Sequence, residues 1–183
     1  HIGGGDITEG AFDDAIRHAI TKMSHLHFAT NALSAKRIQQ MGEDKKRVFN
    51  VGYLGLDYIK QMKRFSRSFL EKKLKLKFLR KKILVTFHPI TLNELPSEIQ
   101  FQELLEALNS LDDSVLIIFT KPNADTNSLK LVEMLDRFAK GRKNVKVFTS
   151  LGQGLYLNVM RHVDAVVGNS SSGIYEAPSF NKP

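Results

Sequence analysis

Short apolar segments of strand length alternate along the whole chain with longer segments of helical periodicity. The clearest is Val-Leu-Ile-Ile-Phe-Thr at residues 115–120, which is typical of a strand buried on both faces of a parallel sheet. Repeated strand–helix units form parallel sheets with right-handed crossovers, so the pattern predicts an α/β fold. The predicted strands are 25–30, 48–51, 83–87, 115–120, 145–148 and 165–167, and the predicted helices are 13–22, 32–41, 56–65, 99–111, 129–139 and 155–162.

The first predicted helix has an apolar face that is expected to point into a core. Residues three and four apart lie on the same side of a helix. The residues that share this face are Ala15, Ile16, Ala19, Ile20 and Met23.

The formal net charge of +8 comes from one segment of the chain. Residues 60–82 contain eleven Lys and Arg residues against the single acid Glu71, a local charge of +10, so the rest of the chain carries −2. Basic clusters bind nucleic acid or anionic membranes. Here, however, Phe65, Phe69 and Phe78 recur with leucines at roughly helical spacing and are expected to face a core. The pattern favours a solvated basic connector over a nucleic-acid site.

This connector divides the predicted architecture. Residues 1–65 are interpreted as the C-terminal part of a first Rossmann-like domain, and residues 66–80 as the basic connector. Residues 81–183 are interpreted as most of a second, nucleotide-binding Rossmann-like domain. Because the chain begins at His1 inside a motif and ends at Pro183 just after another, it is expected to be a fragment truncated at both ends.

The composition excludes several classes of protein. At 42% hydrophobic residues the chain can bury a substantial core. It has no cysteine, which excludes disulfides and thiolate metal sites. No segment has the length of a membrane span or the character of a signal peptide, so a cytoplasmic protein is expected.

A serine-rich block, Gly-Asn-Ser-Ser-Ser-Gly-Ile-Tyr-Glu-Ala at residues 168–177, joins the last predicted strand to a helix. Small residues and hydroxyls at such a junction let the backbone approach an anion, and the first N–H groups of the helix point at it. A following acid can accept hydrogen bonds from a sugar. Ser170, Ser171, Ser172 and Glu176 are therefore candidate contacts to a nucleotide sugar. The alternative is a serine N-cap followed by an ordinary helix.

Other polar residues in the second half also follow predicted strands. Ligands of open parallel sheets bind beyond the carboxyl ends of the strands. His88 follows the strand 83–87, and Asn123 and Asp125 follow the strand 115–120, so all three are candidate ligand contacts. The backbone of residues 148–151 is a further candidate, for a uracil edge. A histidine before a proline can instead simply close a loop, and Pro-Asn-Ala-Asp is equally typical of a turn.

Three blocks taken together resemble the UDP-N-acetylglucosamine 2-epimerase family, in particular its hydrolysing branch. The first is His-Ile-Gly-Gly-Gly-Asp-Ile-Thr-Glu-Gly at residues 1–10, continued by Asp-Asp-Ala-Ile-Arg-His at residues 13–18. The second is Val-Thr-Phe-His-Pro at residues 85–89, and the third is the serine-rich block. The resemblance implies a GT-B-like fold of two Rossmann-like parallel-sheet domains, with the active site in the cleft between them. It also implies a UDP-sugar substrate and a homo-oligomer when the protein is full length.

The reaction that the resemblance implies needs acid and base groups but no cofactor or metal. The substrate of the family is UDP-N-acetylglucosamine or a close UDP-2-acetamido sugar. The sugar loses its C2 proton while UDP leaves from C1, which gives a glycal. Water then adds across the double bond to give a 2-epimer of the N-acetylmannosamine type, which is used for sialic-acid-type sugars. The family's active-site histidine matches His88, and one of its catalytic carboxylates matches Asp13.

Two features of the first block leave the assignment of the carboxylates open. Many family members have a catalytic Glu where this chain has Gly3, so Asp6 or Glu9 becomes the candidate for that role. Asp13 is explained equally well as a first-turn acid that complements the helix dipole. Its neighbour Asp14 is spaced to pair with Arg17.

Two further classes of function remain as alternatives. One is a UDP-sugar-binding GT-B module, a non-hydrolysing 2-epimerase or a glycosyltransferase, in which the serine-rich block binds UDP but the carboxylates do not catalyse hydrolytic epimerisation. The other, more distant, is a basic nucleic-acid-binding protein, for which the affinity would fall steeply with salt. The expected partner is thus a UDP-sugar rather than nucleic acid or a membrane.

Overall fold

The computed structural model of the chain describes residues 1–8, 13–89, 95–122 and 128–183. These residues form two compact units, His1–Tyr58 and the described residues from Ile59 to Pro183. Each unit contains a parallel sheet, which confirms the predicted α/β class. Within the described ranges, no helix combines the length and the apolarity that crossing a membrane requires.

The first unit is built around two short parallel strands, β1 and β2. Ile2 adds an isolated parallel bridge to Phe28 of β1. A small core of Ala29, Ala35 and Ile38 packs α2 against these strands. The elements are α1 (Asp13–Met23), β1 (His27–Ala29), α2 (Ala32–Gln40), a 3-10 turn (Lys45–Arg47), β2 (Val48–Asn50) and α3 (Gly55–Gln61), which runs across the boundary between the units.

The apolar face of α1 does not point into a core, contrary to the prediction. Ala15 and Ala19 are exposed, and the exposed fractions of Ile16, Ile20 and Met23 are 51%, 43% and 81%. The buried residue of this helix is Thr21, whose hydroxyl lies 3.0 Å from Nδ1 of His1. Helical periodicity identifies an apolar face, but it does not identify which face the neighbouring strands cover.

The second unit contains four parallel strands in the order β5-β4-β3-β6. From β3 the chain moves outward to β4 and β5, and then crosses back to place β6 on the other side of β3. The strand order therefore reverses between β3 and β6, which is the switch point where doubly wound sheets bind ligands. The elements are α4 (Arg67–Leu74), β3 (Lys81–Thr86), α5 (Ser97–Asn109), β4 (Val115–Thr120), α6 (Ser128–Ala139), β5 (Val145–Phe148), α7 (Gly152–His162), β6 (Ala165–Gly168), α8 (Ser172–Tyr175) and a final 3-10 turn (Ala177–Phe180).

Successive residues of β4 supply two separate cores, one on each face of the sheet. Leu116 and Ile118 join the cluster that includes residues of α4 and α7. Ile117 and Phe119 join the cluster formed with residues of α5 and α6. All six residues of β4 are buried, as predicted for a strand covered on both faces.

The predicted basic connector contains a helix that packs onto the second unit. Leu70, Leu76 and Phe78 are buried in one of its two cores, whereas Phe69 is 44% exposed. Ser66 caps α4 by accepting a hydrogen bond from the N–H of Phe69 at 3.2 Å. The segment is therefore held on the surface of a folded unit, while the domain bounds at residues 65 and 80 stay a prediction.

Candidate active site

The carboxyl ends of β3 and β6 meet at a point that only glycine permits. Thr86 of β3 is paired with Gly168 of β6, whose φ is +132°. A Cβ at position 168 would lie 1.9 Å from the carbonyl oxygen of Thr86. Because no side chain can occupy that space, Gly168 lets the serine-rich block begin directly beside the end of β3.

Asn169 joins the two strand ends through the backbone of His88. The N–H of His88 donates to Oδ1 of Asn169 at 2.8 Å, and Nδ2 of Asn169 donates to the carbonyl oxygen of His88 at 2.8 Å. The N–H of Asn169 in turn donates to the carbonyl oxygen of Thr86 at 3.3 Å. These three bonds fix the position of His88 relative to the serine-rich block.

A chain of hydroxyl groups continues from this junction across the sheet edge. The Oγ1 atoms of Thr86 and Thr120 are 2.6 Å apart, and the hydroxyl of Tyr156 lies 3.5 Å from Thr86 Oγ1. Tyr156 also lies 2.7 Å from Oγ of Ser172, which donates to Oγ of Ser170 at 3.0 Å. The polar side chains at the ends of β3 and β4 are thereby connected to the serine-rich block.

These groups line a cleft of about 630 Å³ at the carboxyl edge of the sheet in the second unit. Lys121 supplies a positive charge to its wall and pairs with Asp136 at 3.0 Å. The volume and the mixture of hydroxyl, amide and apolar groups suit a nucleotide-sized ligand. The residues that line it are Thr86, His88, Thr120, Lys121, Pro122, Ser128, Val132, Thr149, Ser150, Leu151, Gly152, Gln153, Tyr156 and Ser170.

The predicted substrate-binding residues are distributed unevenly around this cleft. Ser170 lines it, Ser171 is exposed next to it, and Ser172 is buried below it in the hydroxyl chain. Glu176 lies at the C-terminal end of α8, is partly buried, and is not part of the cleft lining. Asn123 and Asp125 lie outside the described residues, whereas the predicted contribution of residues 148–151 corresponds to three lining residues of the cleft.

The helix within the serine-rich block is not an ordinary helix. α8 is four residues long, and the side chain of Ser171 at its N-cap makes no capping hydrogen bond. Instead, Ser170 Oγ accepts from the N–H of Ser172 at 3.4 Å. Among the hydrogen bonds of the described residues, none uses the N–H of Ser170 or of Ser171. The N–H groups of Ser170 and Ser171 are therefore free to donate to a ligand, as the N–H groups of anion-binding turns are.

In the first unit, Asp13 and Asp14 share one arginine. Arg17 Nη2 donates to Oδ2 of Asp13 at 3.0 Å, and Arg17 Nη1 donates to Oδ1 of Asp14 at 2.9 Å. The pairing of Asp14 with Arg17 was predicted from their spacing, and the structure adds Asp13 to it. Because the side chain of Asp13 is 48% exposed, it remains accessible to a ligand, while that of Asp14 is 30% exposed.

Asp6 is held by a residue that follows β1 and a residue in the first turn of α2. Its Oδ1 accepts from Thr30 Oγ1 at 2.7 Å and from Ser34 Oγ at 2.5 Å. Its carbonyl oxygen accepts from Arg17 Nη1 at 2.9 Å, so the arginine that binds Asp13 also binds the loop of Asp6. Glu9, the other candidate for the missing family carboxylate, lies outside the described residues.

Gly3 adopts a backbone conformation that disfavours a side chain. Its φ is +76°, and no atom would lie within 4 Å of a Cβ placed there. The space around position 3 is therefore open, but a Glu in this conformation would be strained. Across the described ranges, no three His, Asp or Glu side chains converge as a metal site requires.

Sequence reasoning missed several residues that build the cleft. Thr86, Thr120 and Lys121 lie at strand ends, so the strand-end rule that identified His88 would also have found them. Asn169 lies in the serine-rich block, but the sequence pattern assigned no role to it. Tyr156 lies on α7 and has the spacing of a core residue, so no local signal indicated it.

A family comparison decides the relationship of the chain to known proteins. The profile of the family described as UDP-N-acetylglucosamine 2-epimerase matches residues 1–183. The chain belongs to this family.

Curated members of the family are similar over the whole chain. The GDP/UDP-N,N'-diacetylbacillosamine 2-epimerase (hydrolyzing) of Campylobacter jejuni is 45% identical over 184 residues, covering 100% of this chain and 48% of the relative. The UDP-N,N'-diacetylbacillosamine 2-epimerase (hydrolyzing) of Legionella pneumophila is 34% identical, covering 99% and 47%. The chain thus spans about half the length of the curated relatives it matches.

Solved structures of this family share the fold. The S. aureus MnaA-UDP co-structure has a TM-score of 0.76 at 19% identity, covering 100% of this chain and 49% of that one. The UDP-GlcNAc 2-epimerase from Neisseria meningitidis bound to UDP-GlcNAc has a TM-score of 0.76 at 17% identity, covering 100% and 51%. At these identities the similarity shows the fold alone, and it confirms the predicted GT-B-like class.

Proposed function

We propose that the protein carrying this chain is a hydrolysing 2-epimerase that converts a UDP-linked 2-acetamido sugar to UDP and its free 2-epimer. The observation that carries the proposal is the 45% and 34% identity, over nearly the whole chain, to two relatives whose names specify the hydrolysing reaction. Both names also specify a diacetamido sugar. We therefore propose a UDP-2,4-diacetamido sugar ahead of UDP-N-acetylglucosamine as the substrate.

The atoms of the proposed reaction balance without any oxidant or reductant. A base removes the proton from C2 while the bond from C1 to the UDP oxygen breaks, which gives a glycal and UDP. Water then supplies a hydroxyl to C1, and an acid delivers a proton to C2 on the opposite face. These steps need proton transfer and stabilisation of the leaving diphosphate, so we propose no cofactor or metal.

The serine-rich block is proposed to bind the diphosphate. Ser170 lines the cleft with its hydroxyl, and the N–H groups of Ser170 and Ser171 are available at the cleft edge. Backbone N–H groups at a strand-to-helix junction of a parallel sheet are a common diphosphate site. Ser172 acts through the hydroxyl chain that holds Ser170. Glu176 is proposed to accept hydrogen bonds from the ribose.

His88 is proposed to act at the sugar, with Asn169 as its positioning residue. Two hydrogen bonds with Asn169 hold the His88 backbone at the switch point, and His88 and Ser170 line the same cleft. Asp13 and Asp6 are the proposed carboxylates of the first unit. Arg17 holds Asp13 by its side chain and the loop of Asp6 by its carbonyl.

A product assay on the complete protein tests the proposal. The protein is incubated with UDP-N-acetylglucosamine or with a UDP-2,4-diacetamido sugar in D₂O, and products are followed by ³¹P and ¹H NMR. The proposal expects free UDP and a 2-epimer that carries deuterium at C2. An epimerised sugar still attached to UDP would instead indicate the non-hydrolysing reaction. UDP binding without turnover would indicate a binding module, and either result would overturn the proposal.

A histidine substitution tests the proposed role of His88. His88→Ala should lower kcat by at least about 100-fold, the usual loss when acid–base help is removed, while the affinity for UDP changes far less. His25→Ala is the matched control, because His25 is exposed in the first unit. Turnover of His88→Ala close to that of the control would show that His88 does not take part in the chemistry.

The remaining properties follow from the same proposal. We propose a cytoplasmic homo-oligomer whose partner is the UDP-sugar and not nucleic acid or a membrane. Light scattering of the complete protein measures its oligomeric state. Turnover that persists after treatment with EDTA checks the absence of a metal requirement.

A further inference from the structure

Two basic segments far apart in the sequence meet at one cleft of about 660 Å³ in the second unit. The first segment surrounds the end of α4 and supplies Lys72, Lys75 and Lys77, and the second lies before and within β5 and supplies Lys143 and Lys146. The sequence alone indicated only a solvated connector. The fold brings the two segments together, which gives the lysines a defined site.

This cleft lies at the opposite edge of the sheet from the proposed UDP site. Its lining includes Leu79 and Asn144, which precede β3 and β5, whereas the UDP site lies beyond the carboxyl ends of the strands. The six residues of β3 separate the two edges by roughly 20 Å at about 3.3 Å per residue. The basic cleft is therefore a separate site and not an extension of the first.

Few acidic residues offset the positive charge of the five lysines. Within the described residues, none of the five forms a salt bridge. The acids of the lining are Glu71 and Asp113. Glu71 is already occupied, because its Oε1 accepts from the N–H of Phe78 at 2.8 Å and from Nε of Arg67 at 3.1 Å. These hydrogen bonds, that of Phe78 first, hold the pKa of Glu71 below its usual range, and the charge of Lys77 makes a smaller contribution.

Lys75 adds a second observation that points to a ligand. It ends α4 in the left-handed conformation, with φ +51° and ψ +43°, a position where glycine is the usual residue. A residue with a Cβ atom is strained in that conformation. Lys75 is one of only two described non-glycine residues with positive φ, and its side chain lines the basic cleft. Strained residues of this kind concentrate at binding sites.

We propose that this cleft, defined by Lys72, Lys75, Lys77, Lys143 and Lys146, binds a soluble anion that carries three or more phosphate groups. Five like charges around one concavity repel each other, and a multivalent anion relieves that repulsion. The concave shape selects a compact ligand over a planar lipid surface. The lining also lacks the aromatic side chains on which single-stranded nucleic acid stacks.

Calorimetry with inorganic tripolyphosphate tests the proposal. The protein should bind one tripolyphosphate per chain at low salt, the affinity should fall as salt rises, and saturating UDP should leave the binding in place. Lys75→Glu/Lys143→Glu should weaken binding at least tenfold. Lys36→Glu/Lys46→Glu, which changes two exposed lysines of the first unit by the same charge, should weaken it less than threefold.

Lys75→Gly separates binding from folding. Glycine suits the left-handed position, so this variant should unfold no more easily than the parent protein while binding tripolyphosphate more weakly. Equal losses in the two double variants would show a nonspecific effect of net charge and overturn the proposal. Competition by UDP, or binding to phosphatidylglycerol vesicles without binding to tripolyphosphate, would overturn it as well.

Discussion

Replacing Gly168 by alanine should disrupt the junction on which the proposed active site depends. The added methyl group would lie 1.9 Å from the carbonyl oxygen of Thr86, and 2.8 Å from its carbonyl carbon. Both are backbone atoms of a central strand, so no flexible side chain can move away. The end of β6 must shift by about 1 Å in a close-packed interior before the contact becomes tolerable.

The expected loss of stability has two parts. A non-glycine residue at positive φ costs about 1–2 kcal/mol. The shift also weakens the pairing of Gly168 with Thr86 and the hydrogen bond from Asn169 to Thr86, each worth about 0.5–1.5 kcal/mol. The sum is a loss of roughly 3 kcal/mol in the free energy of unfolding, or about 6–12 °C in the unfolding midpoint of a chain of this length.

Thermal unfolding followed by circular dichroism measures the loss, and substitutions at two other glycines distinguish its two parts. Gly141 has φ +79° and no atom within 4 Å of an added Cβ, so Gly141→Ala should show the backbone cost alone, about 1 kcal/mol. Gly173 lies in α8 with no positive φ and no close atom, so Gly173→Ala should be neutral or slightly stabilising. If Gly168→Ala destabilises no more than Gly141→Ala, the close approach of β6 to Thr86 is not a constraint, and the reasoning fails.

Three further predictions concern single side chains. Asn169→Asp keeps the acceptor for the His88 N–H but loses the donor to its carbonyl, so steady-state kinetics should show kcat lowered about tenfold with little change in KM, and Asn169→Ala should be worse. Glu176→Ala should weaken UDP binding about 10- to 100-fold by calorimetry without unfolding the protein; unchanged affinity would remove Glu176 from the site. A hydrogen bond from Lys22 holds the pKa of Glu43 below its usual value of 4.5. The stabilisation of the fold by ionised Glu43 is therefore complete above pH 4.5 and is lost as the pH falls through the lowered pKa. In acid titrations, the stability lost through Glu43→Gln should accordingly shrink over that range.

The buried strands could be predicted from the sequence almost to the residue. Residues 115–120 and 145–148 are strands with the predicted bounds, because short runs rich in β-branched and aromatic residues favour a strand over a helix at that length. The helix at Arg67–Leu74 was not predicted, because its exposed charges outweighed the three buried side chains that hold the segment in place. Charged residues identify the solvent-exposed side of a helix, but where they are numerous, a few apolar residues on the other side are easily overlooked.

The sequence predicted only those site residues whose place depends on their own position in the chain, at the end of a strand. His88 and Ser170 each follow a strand, and the rule that ligands bind at strand ends brought both to the same edge. The hydrogen bonds of Asn169 and the contacts of Tyr156 depend on the order and register of β3 and β6. No periodicity in the sequence encodes that register, so these partners became visible only in the fold.

Three successive residues at the switch point have three different structural roles, and on the proposed function these roles join nucleotide binding to chemistry. Gly168 lets β6 end against β3, Asn169 holds the backbone of His88, and Ser170 faces the cleft. We therefore expect that a displacement of this turn by the proposed diphosphate ligand would move the His88 backbone through its two hydrogen bonds with Asn169. On the proposed function, the turn that positions His88 is the same turn that binds the leaving group, so we expect occupancy of the proposed UDP site to affect the arrangement of the proposed catalytic residue.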